Sequence, residues 1–163
     1  MTRKLFWEDP YATHSEATVT AVQGDSVMLD CTIFFAFSGG QESDHGTIGG
    51  QCVLEARKAE REIYYTLEPG HGLRAGDRVA VVIDWARRYR LMRLHFAAEI
   101  VLELAYRELG YPEKVGAHIA EDKARIDFLW DENIAPLLPG MLAIGKRIVE
   151  KARPIPSPFS DKA

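Results

Sequence analysis

The chain has 163 residues, 20 Lys and Arg against 24 Asp and Glu, a formal net charge of −4, and is 47% hydrophobic and 27% charged. That apolar fraction excludes an intrinsically disordered chain, 13 Gly and 8 Pro exclude a collagen-like or low-complexity one, and the length suits one ordinary domain or two small ones. The longest apolar run, residues 79–83, falls far short of the roughly 20 residues of a membrane helix, and the N-terminus turns acidic before any signal-like stretch, so a cytoplasmic protein with no membrane partner is expected.

The first half reads as β. Residues 17–22 alternate β-branched and small side chains, Gln23-Gly-Asp-Ser is a turn, and residues 27–35 continue as a strand, which together predict a hairpin. Residues 38–46, Ser38-Gly-Gly-Gln-Glu-Ser-Asp-His-Gly, form a polar, turn-rich loop. Strands are expected over 47–56 and 62–67 with a charged turn at 57–61, and an apolar strand over 78–85. Several short strands with close turn signals predict a small barrel or sandwich. Cys31 and Cys52 sit in apolar runs without a CxxC neighbour, so they read as small buried hydrophobes. Phe34, Phe35, Phe37, Tyr64 and Tyr65 read as core.

The second half reads as helix plus some strand. From 87 to 109, apolar residues recur at Leu91, Leu94, Ala98, Val101, Leu102, Ala105 and Leu109, the period of a long amphipathic helix, with Gly110 and Pro112 as its stop. Residues 115–119 and 124–128 predict short strands. Asn133 is a candidate cap for a helix over 134–151, whose start Pro136 and Pro139 complicate, and the proline-alternating end from residue 153 should be extended. A change of composition near Trp85 divides the chain into a β-domain, 1–86, and an α+β domain, 87–163.

Three groups of residues have chemical potential. His95 on the apolar face of the long helix is followed one turn later by Glu99, and side chains four apart project the same way. Such a pair either holds a metal ion together with further ligands or forms a plain hydrogen bond; His45, His71, His118 and Cys52 are the other donors within the chain. In the polar loop, Gly39 and Gly40 permit close backbone approach to an anion, while Ser38, Gln41, Ser43 and Asp44 add polar groups; a simple hairpin connection explains the same residues. Arg87, Arg88, Arg90 and Arg93 form a basic cluster, readable as a solvated helix entrance or a local patch, on a chain too acidic for a typical DNA-binding domain.

Taken together, separated segments resemble one family. Leu5-Phe-Trp-Glu-Asp-Pro-Tyr resembles the opening of AlaX proteins, free-standing relatives of the alanyl-tRNA synthetase editing domain. Thr32-Ile-Phe-Phe-Ala-Phe-Ser-Gly-Gly-Gln-Glu-Ser-Asp-His-Gly resembles their glycine-rich motif, and Asp84-Trp-Ala-Arg-Arg-Tyr-Arg-Leu-Met-Arg-Leu-His resembles the approach to their metal-binding helix; Asp122-Lys-Ala-Arg-Ile-Asp-Phe also matches. The resemblance implies an α+β fold, a small β-barrel followed by an editing-type α/β domain built on the long helix. It implies hydrolysis of mischarged tRNA, removing serine or glycine wrongly attached to tRNA for alanine. By carry-over, Thr32 lines the amino-acid pocket, Ser38, Gly39, Gly40 and Gln41 form the loop, His95 is the first zinc ligand, and Arg88, Arg90 and Arg93 are the tRNA-binding candidates. Glu99 stands where the family has a second histidine, and no Cys-x-x-x-His pair follows the Arg-Ile-Asp-Phe segment. The family's zinc is thus implied while the residues supply only half of its site, which leaves His95 and Glu99 as catalytic and metal candidates. The alternative is a metal-free, non-catalytic homologue that binds tRNA or a small ligand in the old pocket; a further one is a hydrolase of another substrate using His95 and Glu99 as a base pair. An uncovered apolar surface or strand edge in the second domain predicts a homodimer.

Overall fold

A computed structural model describes residues 1–154; the expected extended tail lies, from residue 155 on, outside the described residues. The fold is α+β. It divides into a first unit, Met1–Arg90, and a second that begins at Leu91.

The first unit opens with β1 (Arg3–Lys4) and a 3-10 turn (Leu5–Trp7), followed by β2 (His14–Gln23), β3 (Ser26–Leu29), β4 (Cys31–Thr32), β5 (Gly46–Ile48), β6 (Gln51–Ala59), β7 (Glu62–Leu67) and β8 (Arg78–Ile83). Six strands close into a barrel in the order β2-β3-β7-β6-β5-β8, and β1 pairs with β4 as a parallel two-residue ladder. Period-two alternation drives the closure: Val79, Val81 and Ile83 of β8 and Ile63, Tyr65 and Leu67 of β7 all point into one core with Val19, Val27, Leu29, Phe34 and Ile48. The β2–β3 hairpin turns through Gly24, at φ 60°, with Gln23 paired to Ser26.

Two expected strands are broken where the backbone is redirected. The run 27–35 is interrupted at Asp30, whose carboxylate accepts the amides of Thr18 and Cys31, each at 2.7 Å, so that β4 leaves β3 and pairs with β1 instead. The run 47–56 is two strands, β5 and β6, joined by Gly49 and Gly50 at φ 58° and 78°, a two-residue turn with the paired positive φ of type I′. Alternation along β6 turns the Cys52 side chain outward, so it is exposed rather than buried, and Cys31 is only half-buried. Phe37 is also exposed, whereas Phe34 and Tyr65 are core residues meeting edge to face at 5.5 Å.

Helix α1 (Trp85–Leu109) starts in the first unit. Asp84 caps it: its carboxylate accepts the Arg87 amide at 3.1 Å and its carbonyl the Arg88 amide at 3.0 Å. Gly110 ends the helix at φ 72°, and the Tyr111 amide bonds back to the Tyr106 carbonyl at 2.8 Å, closing a Schellman-type stop.

The second unit carries the rest of α1, an antiparallel pair β9 (Lys114–Ile119) and β10 (Ala124–Phe128), and α2 (Leu138–Glu150). Pro136 and Pro139 shift the expected helix start: residues Ala135–Leu137 form a 3-10 turn whose N-cap is Ile134, the Asn133 side-chain Oδ1 accepts the Ala135 amide at 3.0 Å in an Asx turn without capping the helix, and α2 begins after it. Leu104, Ala105, Leu109 and Met141 form one small core and Leu91, Ala98 and Ile119 another. Val101, expected on the buried stripe, is exposed, and Leu104 takes its place inside.

Candidate active site

The glycine-rich segment is built as a pinned loop. Ser38 and Gln41 exchange backbone bonds, Ser38 amide to Gln41 carbonyl at 3.3 Å and Gln41 amide to Ser38 carbonyl at 3.0 Å. Between them Gly39 and Gly40 take φ 60° and 84°, a conformation that costs a side-chain-bearing residue. These closing bonds use the amides of Ser38 and Gln41 and leave those of Gly39 and Gly40 outside the pair. Gln41 is buried. A second reciprocal pair shuts the loop further along: the Asp44 amide donates to the Phe35 carbonyl at 2.9 Å, and the Phe35 amide donates to the Asp44 carboxylate at 2.7 Å.

Two arginines in the first turn of α1 hold this loop from outside. Arg87 donates through Nη2 to Glu42 at 2.6 Å and through Nε to the Ser43 carbonyl at 3.3 Å. Arg88 donates through Nε to Asp44 Oδ1 at 2.7 Å, through Nη2 to the other carboxylate oxygen and to the Ile33 carbonyl at 2.6 Å, and through Nη1 to the Pro10 carbonyl at 3.2 Å. Both guanidiniums are buried, and the Asp44 side chain is fully enclosed. The planar fork of Arg fits this bidentate carboxylate contact in a way a lysine would not. Arg88, expected among the tRNA-binding cations, is therefore inside the protein with four of its five donors committed to the loop and its neighbours.

Thr32 is fully buried. Its hydroxyl oxygen accepts the Phe34 amide at 3.0 Å and the Tyr65 hydroxyl at 2.9 Å, so both lone pairs are taken and only its own O–H remains to be offered. Burial pushes the Tyr65 phenol far above its ordinary range and keeps it a donor.

His95 and Glu99 lie in the second unit. Nε2 and Oε1 are 3.6 Å apart, and the side chains are 46% and 56% exposed, so His95 sits on the wet side of α1 and not on its apolar stripe. His45 and Cys52 are exposed, and the His71 ring accepts the Leu73 amide at 3.0 Å while its other nitrogen lies 3.3 Å from the Gly24 carbonyl. Among the described residues no three His, Cys, Asp or Glu side chains converge as a metal site requires. The donors described here thus do not fit a closed zinc site.

Aligned with curated proteins, the chain is 31% identical over 154 residues to the alanyl-tRNA editing protein AlaX-M of Pyrococcus horikoshii, a match covering 93% of this chain and 71% of that one. The chain belongs to the AlaX family of alanyl-tRNA editing proteins. It is also 37% identical over 134 residues to AlaX-M of Saccharolobus solfataricus, covering 78% of this chain and 56% of the relative. An alanine–tRNA ligase of Metallosphaera sedula is 32% identical over 164 residues, 97% of this chain and 18% of the ligase. The matches thus cover 71% and 56% of the length of these two AlaX relatives. No protein-family model matches it.

Within this AlaX-family chain, the first unit brings Ser38, Gly39, Gly40 and Gln41 together in one turn and places Thr32 in the core. His95 and Glu99 are brought together in the second. Arg90 and Arg93 are exposed on α1. Sequence reasoning missed the clamp of Arg87 on Glu42 and Arg88 on Asp44, and the Tyr65 bond to Thr32. A usable signal for the clamp exists: two arginines three and four residues after a helix-capping Asp, matched by two acids in the loop.

Proposed function

We propose that the protein is an aminoacyl-tRNA deacylase that removes serine or glycine wrongly attached to tRNA for alanine. The observation that supports this best is the pinned glycine-rich turn, on a chain of the AlaX family: Asp44, Arg87 and Arg88 stiffen the loop that carries Ser38, Gly39, Gly40 and Gln41. Ester hydrolysis adds water to the acyl carbon, places negative charge on the carbonyl oxygen and then breaks the bond to the ribose oxygen. Rigid amides at Gly39 and Gly40 are suited to receive that charge without reorganising. Gln41 and Ser38 supply polar groups for the amino acid, whereas Thr32, carried over as a pocket residue, is enclosed in the core and holds the Phe34 amide and the Tyr65 hydroxyl instead. His95, oriented by Glu99, is the proposed general base for water. Arg90 and Arg93 are the proposed phosphate contacts. Zinc enters this reading only if donors beyond His95 and Glu99 complete a site, and no step is assigned to it. A homodimer is part of the same proposal, since Leu138, Leu142 and Val149 leave an apolar stripe exposed on α2. A single monomeric mass by light scattering would remove the dimer.

The test is hydrolysis of seryl- and glycyl-tRNA by the native protein and by the Gly40→Ala, His95→Ala and Glu99→Ala variants. The native protein should release the amino acid, and the Gly40 and His95 variants should lose a hundredfold or more, the scale of an oxyanion donor or a general base. Equal rates in all four proteins overturn the assignment. A second reading, a non-catalytic binder of tRNA, is favoured by the exposed two-donor pair at His95 and Glu99. Retention of seryl-tRNA without release of serine would establish it.

A further inference from the structure

Strands β9 and β10 make a two-stranded sheet, and among the described residues neither outer edge has a strand beside it. An open edge is a template for a further strand. The two edges differ. Asp127 pairs with Gly116 but Phe128 with Lys114, so Val115 is an extra residue that bulges β9 and breaks its outer row. β10 runs without interruption from Ala124 to Phe128. Its hydrogen-bond phase is fixed at both ends: the Ala120 amide donates to the Lys123 carbonyl and the Leu129 amide to the Glu113 carbonyl, each at 2.9 Å. Bonded and unbonded pairs alternate along an antiparallel ladder, so the backbone groups of Arg125 and Asp127 face β9, and those of Ala124, Ile126 and Phe128 face outward.

The side chains of β10 divide by the same period. Ala124 and Ile126 pack beside Leu91, Ala98 and Ile119, so the open edge continues an apolar layer. Arg125 and Asp127 occupy the other face, 70% and 39% exposed, with Nε and Oδ1 3.1 Å apart. We infer that this edge takes β10 of a second copy of the chain, antiparallel about a twofold axis at Ile126, giving one continuous sheet in the order β9-β10-β10-β9. That register sets Ile126 opposite Ile126 of the second copy, where both present outward N–H and C=O groups, and Ala124 opposite Phe128. It also sets Arg125 of each copy opposite Asp127 of the other, so the charges are complementary at both symmetry-related contacts. Centring the axis on Arg125 or on Asp127 would instead bring like charges face to face, which is destabilising. This seam rests on the homodimer put forward above and requires no hydrolysis.

The experiment is analytical ultracentrifugation of the native full chain, of Arg125→Asp, of Asp127→Arg, and of an equimolar mixture of the two variants. The native protein should form a dimer. Each variant alone should self-associate at least tenfold more weakly, because it opposes like charges at both contacts. The mixture should recover association to within about threefold of native, since an acid then meets a base at every contact. Hydrogen exchange of the native protein at rising concentration is the second measurement, and it carries the test if a variant misfolds: the Ala124, Ile126 and Phe128 amides should slow tenfold or more as the dimer forms. A native dimer whose Ala124, Ile126 and Phe128 amides keep their monomer exchange rates, or whose variants associate like the native chain, overturns the seam and leaves the dimer to the α2 stripe. Variants that dissociate but do not recover on mixing overturn the register. A native monomer throughout overturns seam and dimer together. Seryl-tRNA hydrolysis by the same proteins, measured separately, tells loss of the seam from loss of the proposed activity.

Discussion

Arg88 and Asp44, 44 residues apart in the chain, are buried against each other as a two-pronged ion pair that joins the first turn of α1 to the end of the glycine-rich loop. Each also serves backbone: the carboxylate accepts the Phe35 amide, and the guanidinium donates to the Ile33 and Pro10 carbonyls. Removing one partner strands the other charge in the interior. Arg88→Ala should therefore destabilise the first unit by about 3–5 kcal/mol. Arg88→Lys should recover little of this, because an ammonium cannot reproduce the fork. Urea midpoints of the two variants check it, and a loss below about 1 kcal/mol for Arg88→Ala would contradict the buried pairing.

Tyr65 and Thr32 give the pH dependence its sign. The Tyr65 phenol is raised above its unfolded value because burial disfavours its charged form. Its contribution is then fully present below the unfolded value, roughly pH 10, and is lost as pH rises above it, since the unfolded chain releases the proton and the folded one does not. Stability should fall above about pH 10, and Tyr65→Phe should flatten that fall while costing about 1 kcal/mol at pH 7 through the lost bond to Thr32. Urea midpoints from pH 7 to 11 measure both effects.

Gly46 tests a different constraint. A Cβ at this position would lie 2.1 Å from the Val82 carbonyl oxygen, in the ladder where Gly46 pairs with Ile83. That neighbour is backbone and cannot swing aside. Gly46→Ala should cost about 1–3 kcal/mol, the scale of forced overpacking, and should raise amide exchange along β5 and β8. Gly50→Ala meets no atom within 4 Å, so its cost is the strain of φ 78° alone, about 1–2 kcal/mol. Amide exchange along β8 should separate the two variants.

The thiols should separate into two classes. Cys52 is exposed on β6, whereas Cys31 is half-buried and its thiol is raised first by burial and then by its bond to Asp30. Because the thiolate is the reactive form, Cys52 should react with a disulfide reagent well before Cys31 at pH 8. Cys52→Ser should remove the fast phase and leave the slow one.

Much of the fold was legible because periodicity reports burial directly. The alternation of β8, the Gln23-Gly-Asp-Ser turn, the β9–β10 pair and the Gly110 stop all appear where the sequence places them. Legibility ended where one residue redirects the chain. Asp30 breaks an apolar run by capturing two amides, and Gly49 with Gly50 folds another into a hairpin. It also ended at charge. A charged side chain is ordinarily read as exposed, and nothing in the local pattern tells the buried Arg88 from the exposed Arg90 and Arg93. Pairing with Asp44 is a tertiary fact. His95 shows the converse: helical spacing put it beside Glu99, correctly, but the apolar residues around it suggested a burial that the side chain does not have.

The sizes of the two cores have a consequence for how the chain comes apart. Among the described residues, fifteen buried side chains interlock in the barrel, while the second unit gathers groups of four and three. Fewer enclosed apolar contacts mean cheaper local opening. A protease acting on native protein should thus nick beyond Leu91 first and stall at the barrel. Arg87 and Arg88 tie the opening turn of α1 to that barrel, so the resistant fragment should retain the start of a helix whose remainder has been digested away.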